Sequence, residues 1–406
     1  MGSSIGANIR RLREERGWSQ ARLAREVCRA ARVTGEPVGR QEVSRWETGK
    51  RTPREWLSFL AVVLGVNVDA LSVPQKPAEP PLPTLADFLP EEDPLSPLEG
   101  RTGGRRVGMA TVDDLQQRVH GLRLADDVLA GGDLIRPALR DLRRTVKLYR
   151  ESTHTSEVGR KLLVQIGELA QISGWIAGDA GRHEEAERIY RLGISAARQA
   201  EDHTLSGNLA GSLAYQMSNT GRESEGLILA QAAFRDARAE APPKARALYL
   251  DRVAWAHTKA GGTEDGQQAM RALGEAGQAL SKDSEGTESP AYLYWVDADE
   301  LRVMESRVYT ELHRPLRAVP LLREVLKGYD ATHTRKMALY LSWLAVALAD
   351  ANEPEEAAAV AERIISFGSD TSSERVAGRV RVILGRLRDY AEVPEVAGLL
   401  AEHPAA

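Results

Sequence analysis

Small residues recur at a fixed interval along the second half of the chain, and that recurrence limits the folds open to it. Gly174, Gly181 and Ala186 are followed forty residues later by Ala214, Gly221 and Gly226, and after forty more by Ala254, Gly261 and Gly266. Two helices packed as a hairpin approach closely only where the facing side chains are short. A small residue at the same place in successive hairpins therefore marks a stacked array that shares one continuous core and curves into a solenoid. Ala318 and Leu322, then Ala345, Ala357 and Ala361, continue the pattern after a longer step around 283–312. Residues 113–150 read as a helical pair at the start of this array and 374–403 as its cap.

Gly174, Gly181, Ala186 and Tyr190 match marker positions eight, fifteen, twenty and twenty-four of the tetratricopeptide repeat. Over roughly 160–366 the chain resembles that family, with a spacing near forty in place of the family's norm of about 34. Trp175, Tyr215 and Trp255 all take the ninth position. The resemblance implies that this position lies on the first helix of each hairpin and faces the concave groove. Gln171 and Asp251 lie one turn before two of these aromatics, and Asn208, Asn219 and Lys259 are on the same helices. Gln171, Trp175, Asn208, Tyr215, Asp251 and Trp255 are the candidate groove residues. Aromatic platforms interleaved with amides suit a peptide or a small molecule; equally, the rings serve only to cover the neighbouring hairpin.

The N-terminal stretch carries a different signal. Residues 1–73 hold 13 Lys/Arg and 8 Asp/Glu, a balance of 13 − 8 = +5, whereas the remainder holds 41 and 50, or 41 − 50 = −9. A basic head on an acidic body suits a nucleic-acid module joined to something else. Ser4 reads as the cap of a helix carrying Ile5, Ile9 and Leu12, which Gly17 ends. Ser19 caps the next helix, whose buried face is Leu23, Ala24 and Val27, with Trp18 as a staple on Leu23. In the third segment, Val38 to Arg51, the spacing turns Val43, Trp46 and Glu47 inward and leaves Arg40, Gln41, Ser44 and Arg45 outside. Thr52, Pro53 and Glu55 read as a capping box for a fourth helix with Trp56, Leu57, Leu60 and Leu64, stopped by Gly65, and Asn67–Leu71 as a short fifth.

These five helices, with I-R-x-L-R-x-x-R-G-W-S-Q-x-x-L-A at 9–24, V-S-R-W-E-x-G-K-R-x-P at 43–53 and L-G-V at 64–66, resemble the Cro/lambda-repressor-type (XRE) helix-turn-helix family. The resemblance implies that Arg40, Gln41 and Arg45 face bases, where Arg and Gln bond bidentately to guanine and adenine edges. It implies that Gln20, Ser44, Lys50 and Arg51 face phosphates, with the helix N-terminus assisting Gln20. It also makes Arg13 and Glu47 a buried ion pair tying the first helix to the third. The chain departs from the family between helices two and three, where Cys28–Pro37 adds residues to a usually tight turn; the expectation is a longer second helix followed by a loop. Gly39 stands where a Ser or Thr cap is usual. Cys28, the lone cysteine, reads as small core filler.

Prolines 74, 77, 80, 81, 83, 90, 94 and 97 crowd the joint, which no helix or central strand tolerates. The segment 74–108 therefore reads as a linker, its first 27 residues reaching roughly 80 Å if extended, with Leu82, Leu85, Phe88 and Leu89 able to dock a short turn. Gly100–Arg106 reads as a hinge.

No run approaches the roughly 18–20 apolar residues that span a bilayer, and the N-terminus lacks a signal-peptide core. One cysteine fits a reducing compartment. The eight histidines lack metal spacing, and no nucleophile elbow or phosphate loop is present. The expectation is a cytoplasmic, all-α, non-enzymatic protein without metal, cofactor or membrane association. A five-helix lambda-repressor-like DNA-binding domain (1–73) is joined by the Pro-rich linker to a tetratricopeptide-like solenoid (109–406). Some repressor-type proteins with such bodies sense peptides or small molecules. The resemblance thus implies a transcriptional regulator, a homodimer on double-stranded DNA with a pseudo-palindromic operator, whose body mediates dimerisation and receives a signal. The alternative is a DNA-tethered scaffold whose groove docks a protein partner.

Overall fold

The structure is a computed structural model that describes residues 3–33, 35, 37–68, 71, 84–88, 95, 106–129, 131–284, 288–328, 334–368 and 373–403. It divides into two compact units, Met1–Leu82 and Pro83–Ala406. The fold is all-helical: among the described residues the only β pairing is an isolated bridge between Arg106 and Thr153.

The first unit is built from α1 (Ser3–Glu15), α2 (Gln20–Ala30), α3 (Arg40–Glu47), a 3-10 turn (Arg54–Trp56) and α4 (Leu57–Val63). Ile9, Leu23, Val27, Val43, Trp46 and Leu60 fill its core, each on the apolar stripe its helix spacing predicts. Gly17 and Gly65 end their helices in the left-handed region, at φ 64° and 59°, where only glycine avoids a Cβ clash. Ser19 caps α2, its hydroxyl accepting from the Arg22 N–H at 3.2 Å. Cys28 is buried, with Sγ 3.6 Å from the Val38 carbonyl.

Three local expectations are corrected. First, α1 begins at Ser3, so Ser4 lies inside the helix rather than ahead of it. Second, Thr52 and Glu55 make no capping box. Pro53 at ψ 55° turns the chain into the 3-10 turn, and the α-helix proper starts only at Leu57. Third, the added residues between helices two and three do not lengthen α2 much, because it stops at Ala30. Arg32 adopts φ 51° there, its N–H bonding the Arg29 carbonyl at 3.1 Å, and Gly35 follows at φ 94°. The expected fifth helix lies partly outside the described residues; Leu71 at its end is buried, and its carbonyl accepts from Asn8 Nδ2 at 3.1 Å.

The second unit is a run of helical hairpins: α5 (Met109–Val128) with α6 (Gly131–Glu151), α7 (Ser156–Asp179) with α8 (His183–Gln199), α9 (His203–Asn219) with α10 (Glu223–Ala237), and α11 (Pro243–Ala260) with α12 (Asp265–Leu280). After the 3-10 turn Ala291–Leu293 come α13 (Ala298–Glu311) with α14 (Pro315–Gly328) and α15 (Thr334–Asp350) with α16 (Pro354–Gly368), then α17 (Glu374–Leu387), which packs on α15 and α16, and α18 (Pro394–Glu402), which packs on α16. The recurring small residues act as the packing argument requires. A Cβ on Gly174 would lie 2.6 Å from the Tyr190 ring, and one on Gly226 would lie 2.4 Å from Ser218 Oγ. Gly181, Gly221 and Gly261, at φ 75°, 82° and 69°, follow the ends of α7, α9 and α11.

Part of the stretch read as linker is built into this unit. Leu85 and Leu95 are buried in its core and Phe88 packs against it. The Leu85 N–H donates to Asp236 Oδ2 at 3.0 Å, and Arg191 donates to the Phe88 carbonyl. Apolar side chains spaced between prolines can dock wherever a hairpin leaves a seat. Leu82 and Leu89 lie outside the described residues, as do 100–105 of the expected hinge.

The candidate reading helix and an aromatic ladder

On α3 the inner and outer faces separate cleanly. Val43 and Trp46 are buried at 0% and 2% exposure, whereas Arg40, Gln41 and Arg45 are exposed and Ser44 is half-buried. Gly39 starts the helix without a side-chain cap, at φ −107°, so its backbone is ordinary extended chain. Glu42 holds two of the cations at rest: Arg45 Nη1 lies 3.2 Å from one of its oxygens and Arg51 Nη1 2.6 Å from the other. Lys50 is exposed just beyond the helix.

The inner anchor is polar as well as apolar. Arg13 on α1 donates from Nε and Nη2 to the two oxygens of Glu47, at 2.6 and 3.1 Å, and from Nη1 to the Trp18 carbonyl at 2.7 Å. The bond to Glu47 is the leading cause that holds the Arg13 guanidinium above its usual pKa. Gln20 also donates to Glu47, at 2.7 Å. One N–H of the Gln20 amide is spent on this contact, which fixes the side chain against α3 and leaves its second N–H for another acceptor.

Gly6 is part of the same anchor and carries no motif signal. A Cβ there would sit 2.3 Å from the Trp46 carbonyl oxygen and 2.9 Å from that of Glu47. Thus α1 crosses the C-terminal end of α3 at backbone contact. An interior glycine costs a helix about 1 kcal/mol, and that penalty is the clue the sequence offered.

In the second unit the three aromatics spaced by forty pack in a row, Trp175 stacked on Tyr215 and Tyr215 tilted against Trp255. The Trp175 and Tyr215 ring centroids are 5.9 Å apart, as are those of Tyr215 and Trp255. Trp343 on α15 adds a fourth ring, edge-on to Trp255 at 5.6 Å. Guanidiniums lie over these rings: Arg252 is 4.7 Å from Tyr215, Arg307 5.1 Å from Trp255, Arg375 4.7 Å from Trp175 and Arg379 3.5 Å from Trp343. Such pairs are attractive, and more so out of water. The result is a ladder of alternating rings and cations drawn from α7, α9, α11, α13, α15 and α17.

The ladder is an interior rather than an open platform. Asn208, Asp251 and Trp255 are buried, and Gln171, Trp175 and Tyr215 are half-buried. Asp251 accepts from Arg252 at 3.2 Å, and Gln171 accepts from Arg123 at 2.7 Å. The closing helix, α17, reaches the first hairpins, where Ser373 Oγ is 3.0 Å from Asp179 Oδ1. Burial opposes ionisation of the Tyr215 phenol, yet Arg307, Arg375 and Arg252 outweigh it and its pKa falls below the usual tyrosine value. Burial also lowers Arg252, and it pushes Arg379 down to about 10.

The arginines and Trp343 are what the sequence reading missed. One was within reach of the register: Ser306 precedes Ala318 by twelve residues, as Gly174 precedes Ala186, so Arg307 occupies the same ninth position as Trp175. Arg375 and Arg379 are a turn apart on a helix treated only as a cap.

Residues 4–72 match a family model described as a helix-turn-helix domain, so the first unit is a helix-turn-helix domain. No curated protein matches the chain. Among solved structures, the chain is similar to Bacillus thuringiensis PlcR in complex with the peptide PapR7 and DNA. That likeness has 11% identity and a TM-score of 0.34, and covers 85% of this chain and 96% of that one. It is too distant to carry residue roles across.

Proposed function

We propose that the chain is a sequence-specific DNA-binding transcriptional regulator whose helical-repeat body receives a chemical signal. The observation that carries the reading is the outer face of α3. Arg40, Gln41 and Arg45 stand exposed on a helix whose inner face is held by Val43, Trp46 and the Arg13–Glu47 pair. In a helix-turn-helix domain the second helix of the motif enters the major groove while its partner crosses the backbone. Arg40, Gln41 and Arg45 then read base edges, and Gln20, Ser44, Lys50 and Arg51 hold phosphates. A homodimer would place two such helices on half-sites about 34 Å apart.

What supports a sensing role for the body is its enclosed ladder. A docking surface for a protein partner is broad and accessible, whereas Trp255 and Asp251 are 1% and 0% exposed. This favours a small ligand over the scaffold reading. Among the described residues no helix is long and apolar enough to cross a membrane. The test is selection of bound sequences from a random DNA pool by the full chain. Enrichment of one inverted-repeat motif supports the reading, and a pool that stays random contradicts it.

A further inference from the structure

The ladder draws on the odd-numbered helices of the second unit; the even-numbered ones carry a groove of their own. A cavity of about 400 Å³ lies between α6 and α8. Leu142 and Ile189 are buried in its floor, and Val146 and Leu192 are half-buried beside them. On α6 the lining runs through Leu142, Val146 and Arg150, and on α8 through Glu185, Arg188 and Leu192. Steps of three and four place each set on one helix face.

The rim is basic. Arg143, Lys147, Arg150 and Arg188 line it together with the carboxylates of Glu151 and Glu185. Both carboxylates are engaged, Glu185 with Arg182 at 2.8 Å and Glu151 with Lys147 at 4.0 Å. Arg143, Arg150 and Arg188 have no ion-pair or hydrogen-bond partner among the described residues, and the Arg150 Nε is buried in that state. Three unpaired guanidiniums thus surround one apolar floor, although the chain beyond residue 73 holds 50 acidic residues against 41 basic ones. The adjoining groove, between α8 and α10, shows what such a seat accepts. The chain's own Leu85–Phe88 turn occupies it, with Leu85 buried and Phe88 packed on the core. Its backbone is held at both sides: the Leu85 N–H donates to Asp236 on α10, and Arg191 on α8 donates to the Phe88 carbonyl. Arg188 precedes Arg191 by three residues on α8 and lines the open groove instead.

We propose that the groove between α6 and α8 docks a short acidic segment of a partner protein, whose apolar side chains fill the floor while its carboxylates meet Arg143, Arg150 and Arg188. A carboxylate presents the paired acceptors that a guanidinium fork matches. Apolar anchors seat the segment and the opposite charges select it. A nucleic-acid backbone would meet the same cations but leave the apolar floor empty. The proposal is independent of the ladder as a sensor and of α3 as a reader, since it uses no residue of either.

The experiment follows fluorescence polarisation of a labelled peptide, Asp-Leu-Glu-Glu-Phe-Glu, titrated with the full chain. Its Leu and Phe are spaced as Leu85 and Phe88 are. One control peptide carries Gln and Asn in place of the acids, and another carries Ser in place of Leu and Phe. The expected result is saturable binding that weakens as salt is raised and is lost with either control. Arg143 and Arg188 are exposed, so reversing their charge leaves the fold intact. The double variant Arg143→Glu/Arg188→Glu is expected to bind the peptide about tenfold or more weakly. Arg144→Glu, exposed on the same helix but outside the groove, is expected to stay within about twofold of the parent. No saturable binding, or equal binding of either control peptide, overturns the proposal. So does an equal loss in Arg144→Glu, which marks a diffuse charge effect. Binding unchanged in the double variant also overturns it, because the peptide then sits elsewhere, such as on the basic first unit. If the parent sediments as a dimer that the double variant separates, and the peptide does not bind, the groove is an interface between copies and the proposal fails.

Discussion

Arg13 and Glu47 meet as a two-pronged ion pair across the first unit, Nε to Oε1 at 2.6 Å and Nη2 to Oε2 at 3.1 Å. The Glu47 side chain is 3% exposed and that of Arg13 10%, so neither charge has water to fall back on. Removing one partner strands the other. Glu47→Ala is expected to cost about 3–5 kcal/mol of local stability, read as faster amide hydrogen exchange throughout α1 and α3. Exchange unchanged from the parent would show that the pair does not hold α3.

Gly6 sets how closely α1 approaches that helix. With a carbonyl oxygen 2.3 Å from where its Cβ would stand, Gly6→Ala gains helix propensity of about 1 kcal/mol and loses more to the clash. The net expectation is a loss of about 1–3 kcal/mol together with weaker DNA binding, because α3 is pushed from its seat. A variant as stable as the parent would contradict the close crossing.

Glu42 restrains Arg45 and Arg51 in the free protein. Glu42→Gln is therefore expected to strengthen binding to random DNA by a few-fold at low salt, since a negative charge beside phosphates is lost and two cations are released. The gain should shrink as salt is raised. A gain that persists at high salt would assign Glu42 a different role.

The second unit carries a testable acid response. His257 Nδ1 lies 2.6 Å from Asp265 Oδ1, and the Gly262 N–H donates to Asp265 Oδ2 at 2.8 Å. Chiefly through the His257 bond, and then through Gly262, the carboxyl is held below its ordinary value. A carboxylate with a depressed folded pKa adds stability that is complete above the unfolded value of about 3.9 and is lost as pH falls through the folded value. Asp265→Asn should therefore cost about 1 kcal/mol near neutrality, and the cost should shrink as pH falls below the ordinary carboxylate value of about 3.9. Thermal unfolding followed across that range reads the difference, and an equal cost at both ends would contradict the assignment.

Much of this architecture was legible in the sequence because its signals are local. Gly17, Ser19 and Gly65 mark helix ends whatever surrounds them, and the small residues of 174–266 repeat in register. The aromatic spacing of Trp175, Tyr215 and Trp255 predicted shared placement but not burial. Burial depends on α17 and α13, which bring Arg375 over Trp175 and Arg307 over Trp255 from far along the chain. The Thr52–Glu55 box misled for a related reason: its spacing is right, but Pro53 adopts ψ 55° and sets a 3-10 turn first. Gly6 left no motif at all, since its role is defined by a carbonyl on another helix.

The central claim is that α3 reads DNA sequence through Arg40, Gln41 and Arg45. Its most direct test compares Arg45→Ala with Lys50→Ala on the selected operator and on each single-base variant of it. Arg45→Ala is expected to lose about 1–3 kcal/mol of discrimination at one base pair of each half-site and to leave the others intact. Lys50→Ala is expected to weaken all sequences alike and to reduce the salt slope by about one ion. If Arg45→Ala instead weakens every sequence equally, with the base preferences unchanged, α3 is not the reading helix.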